Sequence, residues 1–337
     1  MDNTYFILSD KAVAIERLHI CTWDLKYNNA GIEIGIEFLT NPSKDVAFKL
    51  SLPFMDKADD AKCLMESLIR DDDNSKFIFN DTIKANKPVN GDKRNGSLLE
   101  FENRKPLLVL PIKDIDKDNG ILSFSVKGAS PQYPNYIRIY IQTSQSSLSV
   151  LKSGIAKTSH IYDIKINERR SLPTRVNDLI NGGFKICNTI KQCFCFHVIP
   201  SSYGIAYVNS AKLKNIRILE ANAFNRYLPI KYKMDNNDYI IVFNKVENVK
   251  EGTYTFFSVF DEEIIGNQQI VLAIGANIIC SLLFGLSSIK KFVPGDNWYE
   301  KLPGTFWIAI IILIVVLGWL FIPWKTCFVK CLKRYRK

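Results

Sequence analysis

Apolar and polar positions alternate over much of the chain, then give way to two unbroken apolar runs near its end. GIEIGIEFL (31–39) puts Ile32, Ile34, Ile36 and Phe38 on one side and Glu33, Gly35 and Glu37 on the other. That is period two, the mark of a strand with one face in a core and one in water. VAFKLSL (46–52) repeats it with Val46, Phe48, Leu50 and Leu52 inward, and Pro53 ends it. YIRIYIQT (136–143) carries Ile137, Ile139 and Ile141 on one face. AVAIERLHICTWDLK (12–26), KPLLVLPIK (105–113), ILSFSVK (121–127), HIYDIKI (160–166), FKICNTI (184–190), CFCFHVI (193–199) and GTYTFFSVF (252–260) read as further strands. RYLPIKYKM (226–234) and DYIIVFNKV (238–246) read as a hairpin turning at Asp235, Asn236 and Asn237.

Helical spacing is rarer. ADDAKCLMESLIR (58–70) sets Ala61, Leu64, Met65, Leu68 and Ile69 as a helix does, with DDDNS (71–75) as its solvated exit. TRVNDLIN (174–181) follows Pro173 and stops at Gly182 and Gly183, a second short helix. Residues 80–97, rich in Asn and Gly, read as a long surface loop. The pattern predicts a mainly β fold, sandwich-like and antiparallel, in one or two β-rich domains with a few short helices. The polar stretch QTSQSSLS (142–149) places a soft boundary near 155, dividing the chain into a domain over 1–155 and another over 156–262.

The two apolar runs, 270–289 and 305–324, are each 20 residues without a charge. A bilayer core of roughly 30 Å needs about 20 apolar residues in a helix. They predict a transmembrane hairpin within 263–337. Ala273, Asn277, Ser281 and Gly285 recur every four residues along the first helix. Such a stripe lets helices approach closely, either the second helix of the same hairpin or other copies of it. The second run is uniformly aliphatic and suits a plain anchor, with Trp298, Tyr299, Trp307 and Trp324 placed for the interfaces.

Charge adds sidedness. The chain carries a net +10, spread as −1 over 1–155, +5 over 156–262 and +6 over 263–337. The tail after Trp324 has six basic residues and no acid. Basic flanks stay cytoplasmic, and two spans bring the chain back to its starting side. No secretory signal is visible at the start, and the odd set Cys21, Cys63, Cys187, Cys193 and Cys195 suits a reducing compartment. The expected place is a cell (inner) membrane, multi-pass, with the β-rich region and the tail both cytoplasmic. Cys327 and Cys331, beside the second run, are palmitoylation candidates in a eukaryotic cell.

Candidate chemistry is sparse. Cys193, Cys195 and His197 alternate on one strand, with Cys187 nearby, but C-x-C-x-H lacks zinc-site spacing and reads as core packing. Asp114, Asp116 and Asp118 suggest a calcium loop, yet Asn119 and Ser125 stand where it needs Gly and Glu, so the segment reads as a hairpin turn. No nucleophile elbow, phosphate-binding loop, dinucleotide fingerprint or zinc-peptidase helix is present. No catalytic residue, metal or other cofactor is therefore assigned. Arg169, Arg170 and Arg175 form one basic group and Lys212, Lys214 and Arg217 another, and an Arg fork suits phosphate. They are the candidate ligand-binding residues. The absence of a long basic run with interleaved aromatics argues against nucleic acid.

The expectation is a membrane-anchored cytosolic sensor or effector without enzymatic activity. Its β-rich region would bind a cytosolic protein or an anionic small molecule, and its hairpin would self-associate or perturb the bilayer. That plan is shared by small bacterial effectors of stress response and phage defence, an analogy of architecture alone. Two alternatives are a passive scaffold that recruits a cytosolic partner and a membrane-bound enzyme acting on lipid or nucleotide.

Overall fold

Alternation does govern the chain. The computed structural model describes residues 4–263 apart from 26–28, 41–44, 58, 119, 155, 171, 231–232 and 248–252, together with 273–281 and residues 307, 310, 311 and 314. The strands are β1 (Thr4–Ser9), β2 (Val13–Leu25), β3 (Asn29–Thr40), β4 (Asp45–Ser51), β5 (Asp60–Cys63), β6 (Ile83–Pro88), β7 (Ser97–Phe101), β8 (Leu107–Val109), β9 (Ile112–Asp118) and β10 (Ile121–Lys127). After them come β11 (Asn135–Thr143), β12 (Val150–Ser153), β13 (Lys157–Ile166), β14 (Lys185–Ile186), β15 (Ile190–Pro200), β16 (Gly204–Val208), β17 (Leu213–Ile218), β18 (Tyr239–Glu247) and β19 (Tyr254–Glu263). The helices α1 (Met65–Arg70), α2 (Asp72–Phe79), α3 (Gln145–Leu148), α4 (Thr174–Asn181) and α5 (Ala221–Tyr227) are all short.

One sheet runs β16-β19-β13-β1-β4-β10-β9, with β12 beside β13 and β14 beside β1. The other runs β17-β18-β15-β2-β3-β11-β8-β7-β6, with β5 beside β11. Inward residues of both merge into one core, from Ile32, Ile34, Ile36 and Phe38 on β3 to Val46, Phe48 and Leu50 on β4. Phe38 meets Phe48 edge-on at 5.2 Å, one sheet against the other. Burial of this apolar surface, at about 25 cal/mol per Å², drives the packing.

Both sheets are mixed rather than antiparallel. β1 runs parallel to β13, β2 to β15 and β8 to β11. Nor does residue 155 divide these sheets, because each of the first two parallel pairs joins a strand before it to one after it. Met1–Gly154 and Thr158–Glu262 form one compact unit, and Ile155–Lys157 with Glu263–Lys337 form a second.

Several local expectations change. Asp60–Cys63 is a strand, since its two-residue alternation lets it pair with Gln142 to Ile139 on β11. The acidic run Asp71–Asp73 starts α2: Asp71 Oδ1 accepts the Asp73 N–H at 3.0 Å, and carboxylates are favourable in a first turn. The described residues of 226–234 form no strand. Arg226 and Tyr227 end α5, and β18 takes β17 as its hairpin partner instead. Residues 83–88, expected in a loop, pair with β7 as an edge strand, and Asp114–Asp118, expected in a hairpin turn, instead continue β9 and pair with β10.

A further difference is on β3. Its outer face was expected in water, yet Glu33 is fully buried and Glu37 is 5 % exposed. Helices α1, α2 and α5 cover this face of the larger sheet and close a second apolar cluster around Trp23, Tyr136, Tyr140 and Phe224. Helix α4 covers Phe6 and Leu8 on the smaller sheet through Val176.

Cys193 and Cys195 lie in the main core. His197 is buried beside them, its Nδ1 2.8 Å from the Thr22 hydroxyl. Burial lowers the His197 pKa to about 3, so the folded protein refuses a proton that the unfolded chain accepts near 6.5. Stability is thus complete above pH 6.5 and is lost as pH falls toward 3, by about 1.4 kcal/mol per pH unit for this group. Thermal unfolding of the wild type and His197→Gln at pH 7.5 and 5.0 should show the variant losing less stability on acidification. Equal losses would mean that His197 does not carry this dependence.

Candidate functional site

The covered face of β3 carries an alternation of its own: Gly31, Glu33, Gly35, Glu37. Opposite it β11 presents Tyr136, Arg138 and Tyr140, registered against Glu37, Gly35 and Glu33. The glycines make room for these side chains. A Cβ at Gly31 would overlap the Tyr140 ring, and one at Gly35 the Tyr136 hydroxyl.

Between them lies a buried ion pair. Arg138 donates to Glu33 Oε2 through Nε at 2.7 Å and also through Nη2. Tyr227 donates to the same oxygen at 3.4 Å. Burial pushes the Glu33 carboxyl upward while the guanidinium pulls it back, and Glu33 in turn holds Arg138 charged against its own burial. Arg138 Nη1 donates to the Tyr136 hydroxyl at 2.9 Å, and that hydroxyl lies 3.1 Å from His19 Nδ1. The Tyr136 hydroxyl thus links the buried ion pair to the His19 ring. Burial, followed by the charges of Arg138, Arg17 and Arg104, holds the His19 pKa well below 6.5.

His19 belongs to the floor of an open cleft of about 590 Å³. The cleft begins where the helical cover ends, over β2, β15, β18 and β17. Register places its rows. Arg17 aligns with Gln192; His19 with Phe194 and Lys245; Phe196 with Phe243 and Asn215; Ile241 with Arg217. Phe196 and Phe243 stack at 4.6 Å and 9°, and Phe194 stacks on Phe243 at 6.0 Å and 11°. Lys245 Nζ sits 5.3 Å over Phe194. From the far wall Arg104 enters between Phe79 and Phe101 and donates to Glu37 at 2.8 Å. Its Nη1 is a buried donor without an acceptor. Arg17, Arg104, Lys214, Arg217 and Lys245 line the cleft; at its margin Lys245 pairs with Glu247, and Arg104 and Arg17 pair with Glu37.

The structure does not gather the two basic groups read from the sequence. Lys214 and Arg217 line this cleft. Lys212 turns away to Thr255 and the Phe256 ring. Arg175 donates to Ser51 at 3.1 Å and lines a separate pocket of about 390 Å³ with Tyr5, Pro53 and Asp163. Arg170 pairs with Glu168 at 2.7 Å, and Arg169 bonds Asn188. Arg17, His19, Arg104, Phe194, Phe196, Phe243 and Lys245 were not picked out by motif. Their signal was parity: Gln192, Phe194 and Phe196 occupy the strand face opposite Cys193, Cys195 and His197.

A second polar cluster lies at the end of β2. Asp24 accepts Gln145 Nε2 at 2.8 Å and the Tyr162 hydroxyl at 3.0 Å. His160 stacks on Tyr203 at 4.6 Å, with Nε2 3.3 Å from Glu262. Burial raises the Asp24 carboxyl despite these donors. Among the described residues no group of His, Cys, Asp and Glu is arranged to hold a metal ion.

Ala273, Asn277 and Ser281 are exposed on helix 273–281, where Ser281 Oγ donates to the Asn277 carbonyl at 2.9 Å. Gly285 lies outside the described residues, as do most of 270–289 and 305–324. Among the described residues no helix is long and apolar enough to cross a membrane.

No family model matches the chain, and no curated protein does. Among solved structures, the crystal structure of an M1 zinc metallopeptidase from Deinococcus radiodurans aligns with a TM-score of 0.33 and 8% identity. The alignment takes in 75% of this chain and 43% of that one, so this chain spans under half of its length.

Removing one member of a buried pair strands the other, at about 3–5 kcal/mol. Glu33→Gln and Arg138→Met should each lose that much in denaturant unfolding, and Glu33→Leu with Arg138→Met together should recover most of it. A double variant no more stable than either single one would refute the pairing.

Proposed function

We propose that this chain is a membrane-anchored sensor or effector without enzymatic activity, switched by an anionic ligand held in the β unit. One observation carries the reading: five cations, set against only Glu37 and Glu247 at the margin, line a cleft of about 590 Å³ whose centre is half-buried phenylalanine. Clefts of this size take small molecules, and Arg presents paired donors to phosphate or carboxylate. The buried Glu37, bonded to Arg104 and near Arg17, keeps two of these cations in place from behind. Because His19 stays neutral, the positive field comes from Arg and Lys.

The output is assigned to the C-terminal segments. Their length and lack of charge support a hairpin in the inner membrane, and the six basic residues after it support a cytoplasmic face for the tail and the β unit. The small-residue stripe supports self-association of hairpins on ligand binding.

A passive scaffold is the second reading, favoured by the exposed Ile205, Tyr207 and Phe257 on β16 and β19. In that case any two-span anchor would replace the hairpin without loss of activity. Calorimetry and native mass analysis of the full chain in lipid nanodiscs test the effector. Pyrophosphate should bind, and Arg17→Ala with Arg217→Ala should weaken it at least ten-fold. In detergent, bound protein should form larger assemblies, which Asn277→Leu with Gly285→Leu abolish. Absence of pyrophosphate binding, or an oligomer size indifferent to both ligand and substitution, would count against the proposal.

A further inference from the structure

The cleft has more chemistry than an inorganic anion needs. A phosphate would be served by Arg and Lys alone, yet three nearly parallel phenyl rings occupy the middle rows. Phe194, Phe196 and Phe243 are each half-buried, so they keep a share of surface turned to the cleft. Exposing apolar rings is unfavourable unless something covers them. Cations stand on either side of this shelf: Arg17 one row beyond Phe194, and Arg217 one row beyond Phe243 on the far strand. Carboxamides of Gln192, Asn215 and Asn80 line the same space, and each offers both a donor and an acceptor. Arg104 Nη1 adds a buried donor that still lacks an acceptor.

A planar group on the rings, amides at its edge and anions beside it describe one class of molecule. We infer that the cleft takes a nucleoside phosphate, with the base along the Phe194–Phe243–Phe196 row, the phosphates on Arg17 and Lys214 at one end of it, and Arg217 beside the base at the other. The inference rests on the ligand reading above and specifies it. Phe196 and Phe243 cover one another's faces, so the base meets the open outer surface of this ring row, an apolar contact that tolerates every base, and selectivity among bases falls to the carboxamides. A lipid phosphate fits less well. Its acyl chains need a continuous apolar channel, whereas this cleft alternates rings with charges.

Calorimetry on the full chain in nanodiscs separates the two levels. The probes are pyrophosphate, ribose 5-phosphate, the four ribonucleoside monophosphates, the four triphosphates and a ten-residue oligonucleotide. At least one mononucleotide should bind ten-fold or more tighter than pyrophosphate, a difference of about 1.4 kcal/mol. Phe196→Ala and Phe243→Ala should each remove that advantage while leaving pyrophosphate affinity within two-fold, and Phe243→Tyr should keep it. If pyrophosphate binds and no mononucleotide exceeds it, the nucleoside assignment fails and the anionic-ligand reading stands. If only the oligonucleotide binds tightly, the site reads a polymer and the assignment is wrong. If nothing binds, both readings fall.

Discussion

The larger sheet is organised around a charge pair sealed beneath its helical cover. Glu33 and Arg138 sit on neighbouring strands with almost no access to water. Neither could be there alone, because an isolated buried charge costs several kcal/mol. Together they force other choices. Gly31 and Gly35 must flank Glu33 so that Tyr140 and Tyr136 can close over it. Tyr227 comes from α5 to add a further donor to Glu33 Oε2, while Oε1 is buried without a hydrogen-bond partner among the described residues. The pair also specifies register, since a one-residue slip of β11 against β3 would place Arg138 in the apolar core and an isoleucine on the charge.

From that pair the hydrogen bonds run outward. Arg138 holds Tyr136, Tyr136 holds the His19 ring, and His19 packs edge-on with Phe194 at 4.9 Å. The open cleft is therefore the uncovered continuation of a rigid buried network. Its aromatic shelf sits on central strands, where the backbone is held on both sides, while two of its cations, Lys214 and Arg217, come from the edge strand β17. Such a division suits a site whose floor is preorganised and whose rim adjusts to the ligand.

Much of this was legible in the residues. The inward rows of β3, β4 and β11 follow from simple alternation, and α4 begins and ends where Pro173 and Gly182 indicated. The outer rows were not legible, because period two says which residues share a face but not whether a second layer covers it. Glu33 and Arg138 looked like solvent positions for that reason. The parallel pairs β1–β13 and β2–β15 were hidden as well, since long-range pairing leaves no local mark. Likewise β17 was masked by its own Lys214, Asn215 and Arg217, whose charge outweighed the strand pattern of Leu213, Ile216 and Ile218. Basic residues were noticed where they cluster in sequence, at 169–175 and 212–217. The cleft draws instead on cations scattered from 17 to 245, brought together only by the sheet.

Whether that cleft is where the anion sits is open to one direct measurement. Phenylglyoxal footprinting of the full chain in nanodiscs, with and without pyrophosphate, reports each arginine separately. The account predicts that ligand protects Arg17 and Arg217 and leaves Arg169 and Arg170 reacting as before. No protection at all, or protection confined to Arg169, Arg170 and Arg175, would contradict it.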